Sequence, residues 1–250
     1  MSNPRAVTLI CLPFAGAGAS FFRPWQALAD DHTEVVAVQL PGRERLIDEE
    51  PLRTVPKAVE WLWPGITERL DRADAPCSTV LFGHCLGAVL AYELACRLTD
   101  SGRPVAGIVV SGSPGPWTAR DFRGRATGQP DDEFIRRVEE YSGYSHGALA
   151  DPEMRELLLP SFRADVEMDE NYRADHDTIL DVPITAMRGH DDHLVGTDLA
   201  GEWAAATTAE FTLAEVSGGH MYLTETPEHV LRQAAGLGLV TSRGARKGAH

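Results

Sequence analysis

Thr79-Val-Leu-Phe-Gly83-His84-Cys85-Leu86-Gly87-Ala88 is an apolar, strand-like run that enters a G-x-C-x-G turn and leaves into residues with helical spacing. This is the pattern of a nucleophile elbow, with Cys where Ser is usual. Glycine is needed on both sides because the turn is so tight that flanking side chains would collide, and the nucleophile itself is held in strained backbone geometry. The helix that follows points its N-terminal dipole and free N–H groups at the thiol, which favours a thiolate and a developing oxyanion alike. Cys11, Cys77 and Cys96 have no such setting and read as buried structural cysteines.

Short apolar runs rich in β-branched residues recur on either side, at Val7 to Leu12, Val35 to Leu40, Val105 to Ser111, Ile184 to Met187 and Phe211 to Val216. Between them lie helical spacings such as Val55, Val59, Leu62, Ile66 and Leu70, then Ala88, Ala91, Leu94, Ala95 and Leu98. Alternating strands and helices predict an α/β sandwich, a mostly parallel central sheet flanked by helices. The alternation fails between about 115 and 177, where Asp131 to Tyr141 and Asp151 to Tyr172 carry charged amphipathic helical patterns. The reading is a core of 1–114 and 178–240, a helical insertion of 115–177 and a loose tail of 241–250. Lying between two strands, the insertion is expected over the carboxyl ends of the sheet, as a lid or as a packing elaboration.

Composition narrows the function classes. The 250 residues are 43% apolar and 24% charged, with 37 acidic against 23 basic side chains and a formal charge of −14. That balance argues against nucleic acid, whose phosphates call for a basic surface. No apolar run reaches the roughly 20 residues needed to cross a bilayer, and the start reads as no secretion signal. Four cysteines without C-x-x-C pairing fit a reducing compartment, so a cytoplasmic enzyme is expected.

A nucleophile needs a base and an orienting acid. Among nine histidines, His220 stands out in Ser217-Gly-Gly-His220-Met, directly after the last predicted strand. His84 adjoins the nucleophile, but the elbow turns its side chain away, and it reads as structural. The acid should follow a strand between nucleophile and base. Gly189-His190-Asp191-Asp192-His193 occupies that place, with Asp192 the candidate and Asp191 its competitor. The same His and Asp residues could mimic a metal cluster, but a triad explains them more simply. An oxyanion hole needs two backbone N–H donors, and Leu86 supplies the first. Leu12-Pro-Phe14-Ala15-Gly16-Ala-Gly18-Ala-Ser20 supplies the second, through Ala15 or, failing that, Phe14. This loop completes no G-x-G-x-x-G and is not read as a nucleotide site.

Taken together, these segments resemble the type II thioesterases that accompany polyketide and nonribosomal peptide synthetases. The resemblance runs from Leu9 to about Val230 and rests on LPFAGAGAS (Leu12 to Ser20), QLPGRE (Gln39 to Glu44), GHCLGA (Gly83 to Ala88), SGSPGP (Ser111 to Pro116), LPSFRADVEMDENY (Leu159 to Tyr172) and GGHMYL (Gly218 to Leu223). It implies an α/β-hydrolase fold with Cys85 as nucleophile, Asp192 as acid, His220 as base and a helical lid over about 115–177. It also implies no cofactor, acyl or peptidyl carrier domains as partners, and removal of stalled or wrong acyl groups from their phosphopantetheine arms. Arg120, Arg123, Arg125, Arg136 and Arg137 are candidates for a local docking patch. The chain departs from the resemblance at Cys85, where Ser is usual, at His193, where proline is common, and at Gly143-Tyr144-Ser145, which replaces Gly-Thr-Pro. A thiol attacking a thioester exchanges one thioester for another, so transfer of acyl groups between carriers stands beside hydrolysis as an alternative.

Overall fold

The computed structural model describes residues 7–72, 77–120, 124–143 and 147–247, apart from the side chains of 141 and 239–247. The chain runs through β1 (Val7–Leu12), a short α1 (Trp25–Leu28), β2 (Thr33–Ala37), α2 (Val55–Asp71), β3 (Ser78–His84) and α3 (Leu86–Asp100). It continues through β4 (Gly107–Ser111), α4 (Asp131–Ser142), α5 (Pro152–Glu170), β5 (Ile184–Gly189), a short α6 (Thr197–Gly201), β6 (Phe211–Val216) and α7 (Glu228–Lys247). The six strands form one sheet in the order β2-β1-β3-β4-β5-β6, with every pairing parallel. Among the described residues no helix is long and apolar enough to cross a membrane.

The apolar runs are continuous because both faces of the sheet are covered, and successive side chains alternate between the two layers. Ile10, Leu12, Leu81, Ile108, Val110, Ile184 and Ala186 join the layer built on α2 and α3. Leu9, Cys11, Val80, Phe82, Val109 and Met187 join the opposite layer with Trp25 of α1 and Val230, Leu231 and Ala234 of α7. The α/β expectation therefore agrees with the fold, while several boundaries shift, two of them for clear physical reasons. The apolar run from Val35 leaves the sheet after Ala37, and Val38 and Leu40 turn into the core beneath α2 just ahead of Pro41. The segment expected as a loose tail from 241 is helix as far as Lys247, while 248–250 lie outside the described residues. Its inner turns are docked, since a Cβ at Gly107 would fall 2.8 Å from Leu237, and a docked helix propagates at the gain of one hydrogen bond per residue.

Between β4 and β5 the chain builds α4 and α5 with clear local signals. Asp151 caps α5 by accepting from the Glu153 and Met154 N–H groups at 2.9 and 3.1 Å, with Pro152 in the first turn. Asp131, Asp132 and Glu133 fill the first turn of α4, where the helix dipole favours negative charge, and Gly143 ends it at φ 63°.

Candidate active site

The loops leaving β1, β3, β5 and β6 carry the chemically interesting residues, so the site forms at the carboxyl ends of the strands. Cys85 follows β3 directly and sits at φ 52°, ψ −117°; among the described residues only Glu44 is another non-glycine with positive φ. Both glycines of the motif have a geometric reason. A Cβ at Gly83 would lie 1.8 Å from the Gly87 carbonyl oxygen, and one at Gly87 would lie 2.5 Å from the Leu12 carbonyl oxygen. The Cys85 N–H donates to the Ser111 carbonyl at 2.8 Å, tying the elbow to β4. Leu86 is the first residue of α3, so its N–H has no acceptor within the helix.

Asp192 and His220 meet because β5 and β6 end against each other. A Cβ at Gly189 would lie 2.2 Å from the Gly219 carbonyl oxygen, so only glycine permits the approach. The Asp191 N–H then donates to the Gly218 carbonyl at 2.9 Å, and the next side chain, Asp192, turns inward. Its Oδ1 accepts from the Leu194 and Val195 N–H groups at 2.8 and 3.0 Å, while its Oδ2 lies 2.9 Å from His220 Nδ1. Arg188 braces this loop by donating to the Val195 and Asp192 carbonyls at 2.9 and 3.1 Å. Asp191 is exposed, so of the two sequence candidates it is Asp192 that meets the imidazole.

Burial of His220 opposes its protonation. Hydrogen bonds with Asp192 and with the Cys85 thiol outweigh that cost and push the ring up to about 9. Burial, which lowers a histidine, would raise the Asp192 carboxyl, but its bond to His220 and the two backbone N–H groups hold it below the usual carboxylate value. With Nδ1 facing a carboxylate, the ring presents Nε2 to the thiol.

Residues of the loop after β1 and of the insertion enclose this group. Phe14, Ala15, Cys85, His220 and Met221 line a narrow cavity with Ile135 and Val138 of α4 and Phe162, Val166 and Asp169 of α5. The cavity measures about 50 Å³ and its walls are mainly apolar. Ala15 and Phe162 both pack against the apolar cluster of α4 and α5, and the Phe162 ring closes on Gly16, so α5 rests on the loop proposed to donate to the oxyanion.

His84 points away from the cavity but does not stand apart. Its buried ring lies 4.7 Å from that of His220, and its Nδ1 is 2.9 Å from Ser111 Oγ, which in turn is 2.7 Å from the Tyr222 hydroxyl. Burial first, and then the neighbouring His220, hold His84 well below its usual pKa, so an uncharged ring backs His220. Ser111 and Tyr222 lie in motifs the sequence marks, yet neither shows in sequence that it would reach this position.

The arginine patch reads differently in three dimensions. Arg120 is buried, donating to Asp169 of the cavity wall at 3.2 Å and standing over the Tyr172 ring at 5.4 Å, so it is an internal strut and not a docking residue. Arg136 is held by Glu133 and Glu140, Arg137 by Glu133 at 2.8 Å, and Arg125 by the Asn171 amide oxygen with the Glu170 carboxylate at 3.8 Å, so these charges are largely matched by close neighbours. Arg123, Tyr144 and Ser145 lie outside the described residues.

A thioesterase domain model matches residues 7–236. A probable cadicidin biosynthesis thioesterase of Streptomyces griseus is 36% identical over 220 residues, covering 88% of this chain and 59% of the relative's length. The gramicidin S biosynthesis protein GrsT of Aneurinibacillus migulanus is 32% identical over 231 residues, covering 90% of this chain and 86% of that one. Among solved structures, the type II thioesterase BorB of the borrelidin biosynthetic cluster superposes with a TM-score of 0.78 at 31% identity, covering 94% of this chain and 92% of that chain. Matched over nearly its whole length in sequence and in fold, with an elbow cysteine set beside a buried histidine and carboxylate, the chain belongs to the thioesterase family of hydrolytic enzymes.

Proposed function

We propose that this protein is a type II thioesterase of a polyketide or nonribosomal peptide pathway, which removes stalled or wrong acyl groups from the phosphopantetheine arm of carrier domains. The observation that carries the reading is the convergence of Cys85, at φ 52° on a glycine-flanked elbow, with a His220 that is bonded to Asp192 on one ring nitrogen and within reach of the thiol on the other. The biosynthetic settings named for the relatives support the substrate class.

In the first half-reaction His220 takes the Cys85 proton and the sulfur attacks the thioester carbonyl carbon. The N–H groups of Leu86 and Ala15 receive the oxyanion. As the carbon–sulfur bond to the pantetheine breaks, His220 returns its proton to the departing thiol, and an acyl-Cys85 thioester remains. In the second, His220 takes a proton from water as its oxygen attacks the acyl carbon, and the carbon–sulfur bond breaks with His220 returning that proton to the Cys85 sulfur and the acid released. Asp192 keeps the Nδ1 proton in place throughout. A narrow apolar cavity fits a short acyl chain better than a long one.

Cys85 itself favours a second reading. Acylation of a thiol by a thioester is nearly balanced in energy, so the acyl group can pass to another carrier thiol instead of to water. Incubating the protein with an acyl-carrier and following free acid, free carrier thiol and the mass of Cys85 separates the two. Acid and carrier thiol rising together support hydrolysis, acyl appearing on a second carrier with little acid supports transfer, and no adduct on Cys85 with any substrate refutes both.

A further inference from the structure

The QLPGRE and LPSFRADVEMDENY segments contain no part of the triad, yet they meet at the loop that follows β1. Arg43 and Asp165 form a buried two-pronged pair at 2.5 and 2.7 Å, with side chains 4% and 0% exposed. Asp165 Oδ2 also accepts the Gly16 N–H at 2.8 Å, and Arg43 donates to the Ala17 carbonyl at 3.0 Å. The same stretch grips the loop further along, where Gln39 accepts from the Ala19 N–H and Glu44 from the Ser20 N–H, each at 3.0 Å.

Phe14 to Ala17 is a tight turn, closed by the Ala17 N–H donating to the Phe14 carbonyl at 2.9 Å. Gly16 at φ +81° is the third residue of that turn, as type II geometry requires. The peptide between Ala15 and Gly16 is the one that flips between type I and type II turns, and it abuts the Ala15 N–H. Asp165 holds the N–H of that peptide. Phe162, one turn earlier on α5, closes over the same glycine, since a Cβ there would sit 3.0 Å from its ring. Arg43 matters as well, because a bare carboxylate this near a developing oxyanion would oppose it.

Resting on the proposed role of Ala15, we infer that Asp165 is a positioning residue which, paired with Arg43, sets the oxyanion loop only while α5 is seated on it. The helical insertion thereby supplies a part of the reaction geometry as well as a cover. An acyl thioester meets a competent oxyanion hole when α5 lies over Gly16, and a weakened one when it does not.

The test uses the full chain and the butyryl thioester of N-acetylcysteamine, which needs no carrier. Three quantities are read: the rate of acyl-Cys85 formation by quenched mass spectrometry, alkylation of Cys85 by iodoacetamide, and thermal melting. Alkylation is a displacement that builds no oxyanion. The parent chain comes first, because absence of acyl-Cys85 there refutes the proposed function itself. Arg43→Met/Asp165→Leu replaces a buried ion pair by apolar side chains, an exchange that proteins often tolerate without loss of stability. It removes the acceptor for Gly16, so acylation should fall about 100-fold while alkylation stays within about 2-fold. Arg43→Gln/Asp165→Asn keeps an amide oxygen for the same N–H and should acylate within about 5-fold of the parent. The inference is overturned if the apolar pair acylates within about 3-fold of the parent, or if the amide pair folds and alkylates normally yet is about 100-fold slow. Should the apolar pair not melt cooperatively, the amide pair decides between these outcomes.

Discussion

Asp192→Asn exchanges one oxygen for an amide NH2 in a carboxylate whose two oxygens have separate tasks. Oδ1 accepts from the Leu194 and Val195 N–H groups, and Oδ2 faces His220 Nδ1. The asparagine keeps its oxygen on the two backbone donors, because the opposite rotamer would set donor against donor twice, at about 1 to 3 kcal/mol each. Its NH2 then faces Nδ1, which must become an acceptor, and the ring proton moves to Nε2. That nitrogen can no longer take the Cys85 proton. The rise of His220 from 6.5 to about 9 corresponds to about 3 kcal/mol in favour of the protonated ring, net of an opposing burial cost and shared between Asp192 and Cys85. Part of that is lost, and the wrong tautomer adds to it. Acylation of Cys85 by the butyryl thioester should fall about 10³- to 10⁴-fold, or about 4 to 5.5 kcal/mol of barrier. Quenched single-turnover kinetics measure this with the melting temperature as the folding control. A folded variant that acylates within about 10-fold of the parent would refute the proton-transfer role assigned to this pair.

Gly83→Ala places a methyl group 1.8 Å from the Gly87 carbonyl oxygen, so urea denaturation should show a loss of about 3 kcal/mol or more. His220 is raised to about 9 in the folded chain against 6.5 unfolded, so its contribution is complete below pH 6.5 and disappears as pH rises through 9. Melting of the parent should drop by roughly 6 °C or more across that window relative to His220→Asn, and parallel curves would contradict it. Asp192 is shifted the other way, so its contribution holds above the usual carboxylate range and fades as pH falls through its lowered value. Ile135→Ala enlarges the cavity beside Cys85 and should raise the hexanoyl-to-acetyl ratio of kcat/KM about 10-fold; an unchanged ratio would put the acyl chain elsewhere.

Much of this molecule is legible in one dimension because its signals are local. The runs Val7 to Leu12 and Phe211 to Val216 are strands β1 and β6 residue for residue, β1 because a fully buried parallel strand reads as a nearly continuous apolar run, and the edge strand β6 with Thr212 and Glu215 left exposed. The elbow is equally plain from its G-x-C-x-G spacing, although only Gly83 answers a local clash, with the Gly87 carbonyl, whereas Gly87 makes room for the Leu12 carbonyl of β1. Chain order narrows the expected acid to Asp191 or Asp192, and the glycine-rich setting after the last predicted strand singles out His220 as the expected base. The sequence prefers Asp192 with Asp191 as its competitor, and space supplies the reason, where the ends of β5 and β6 touch at Gly189 with Asp192 turned in to His220 and Asp191 exposed.

What the tertiary structure decides is the pairing of buried charges across long separations. Arg120 belongs to a stretch that reads as a charged surface, yet it lies inside against Asp169, and Arg43 finds Asp165 across 122 residues. Nothing within a few positions of either residue reveals its partner. A buried ion pair is stabilised by the one neighbour that compensates its lost hydration, and that neighbour is chosen by how the helices settle on the sheet. Composition and spacing therefore determine which elements form and where Cys85 stands. Packing determines which side chains meet around it, because burial, which makes those meetings strong, exists only once the chain has folded.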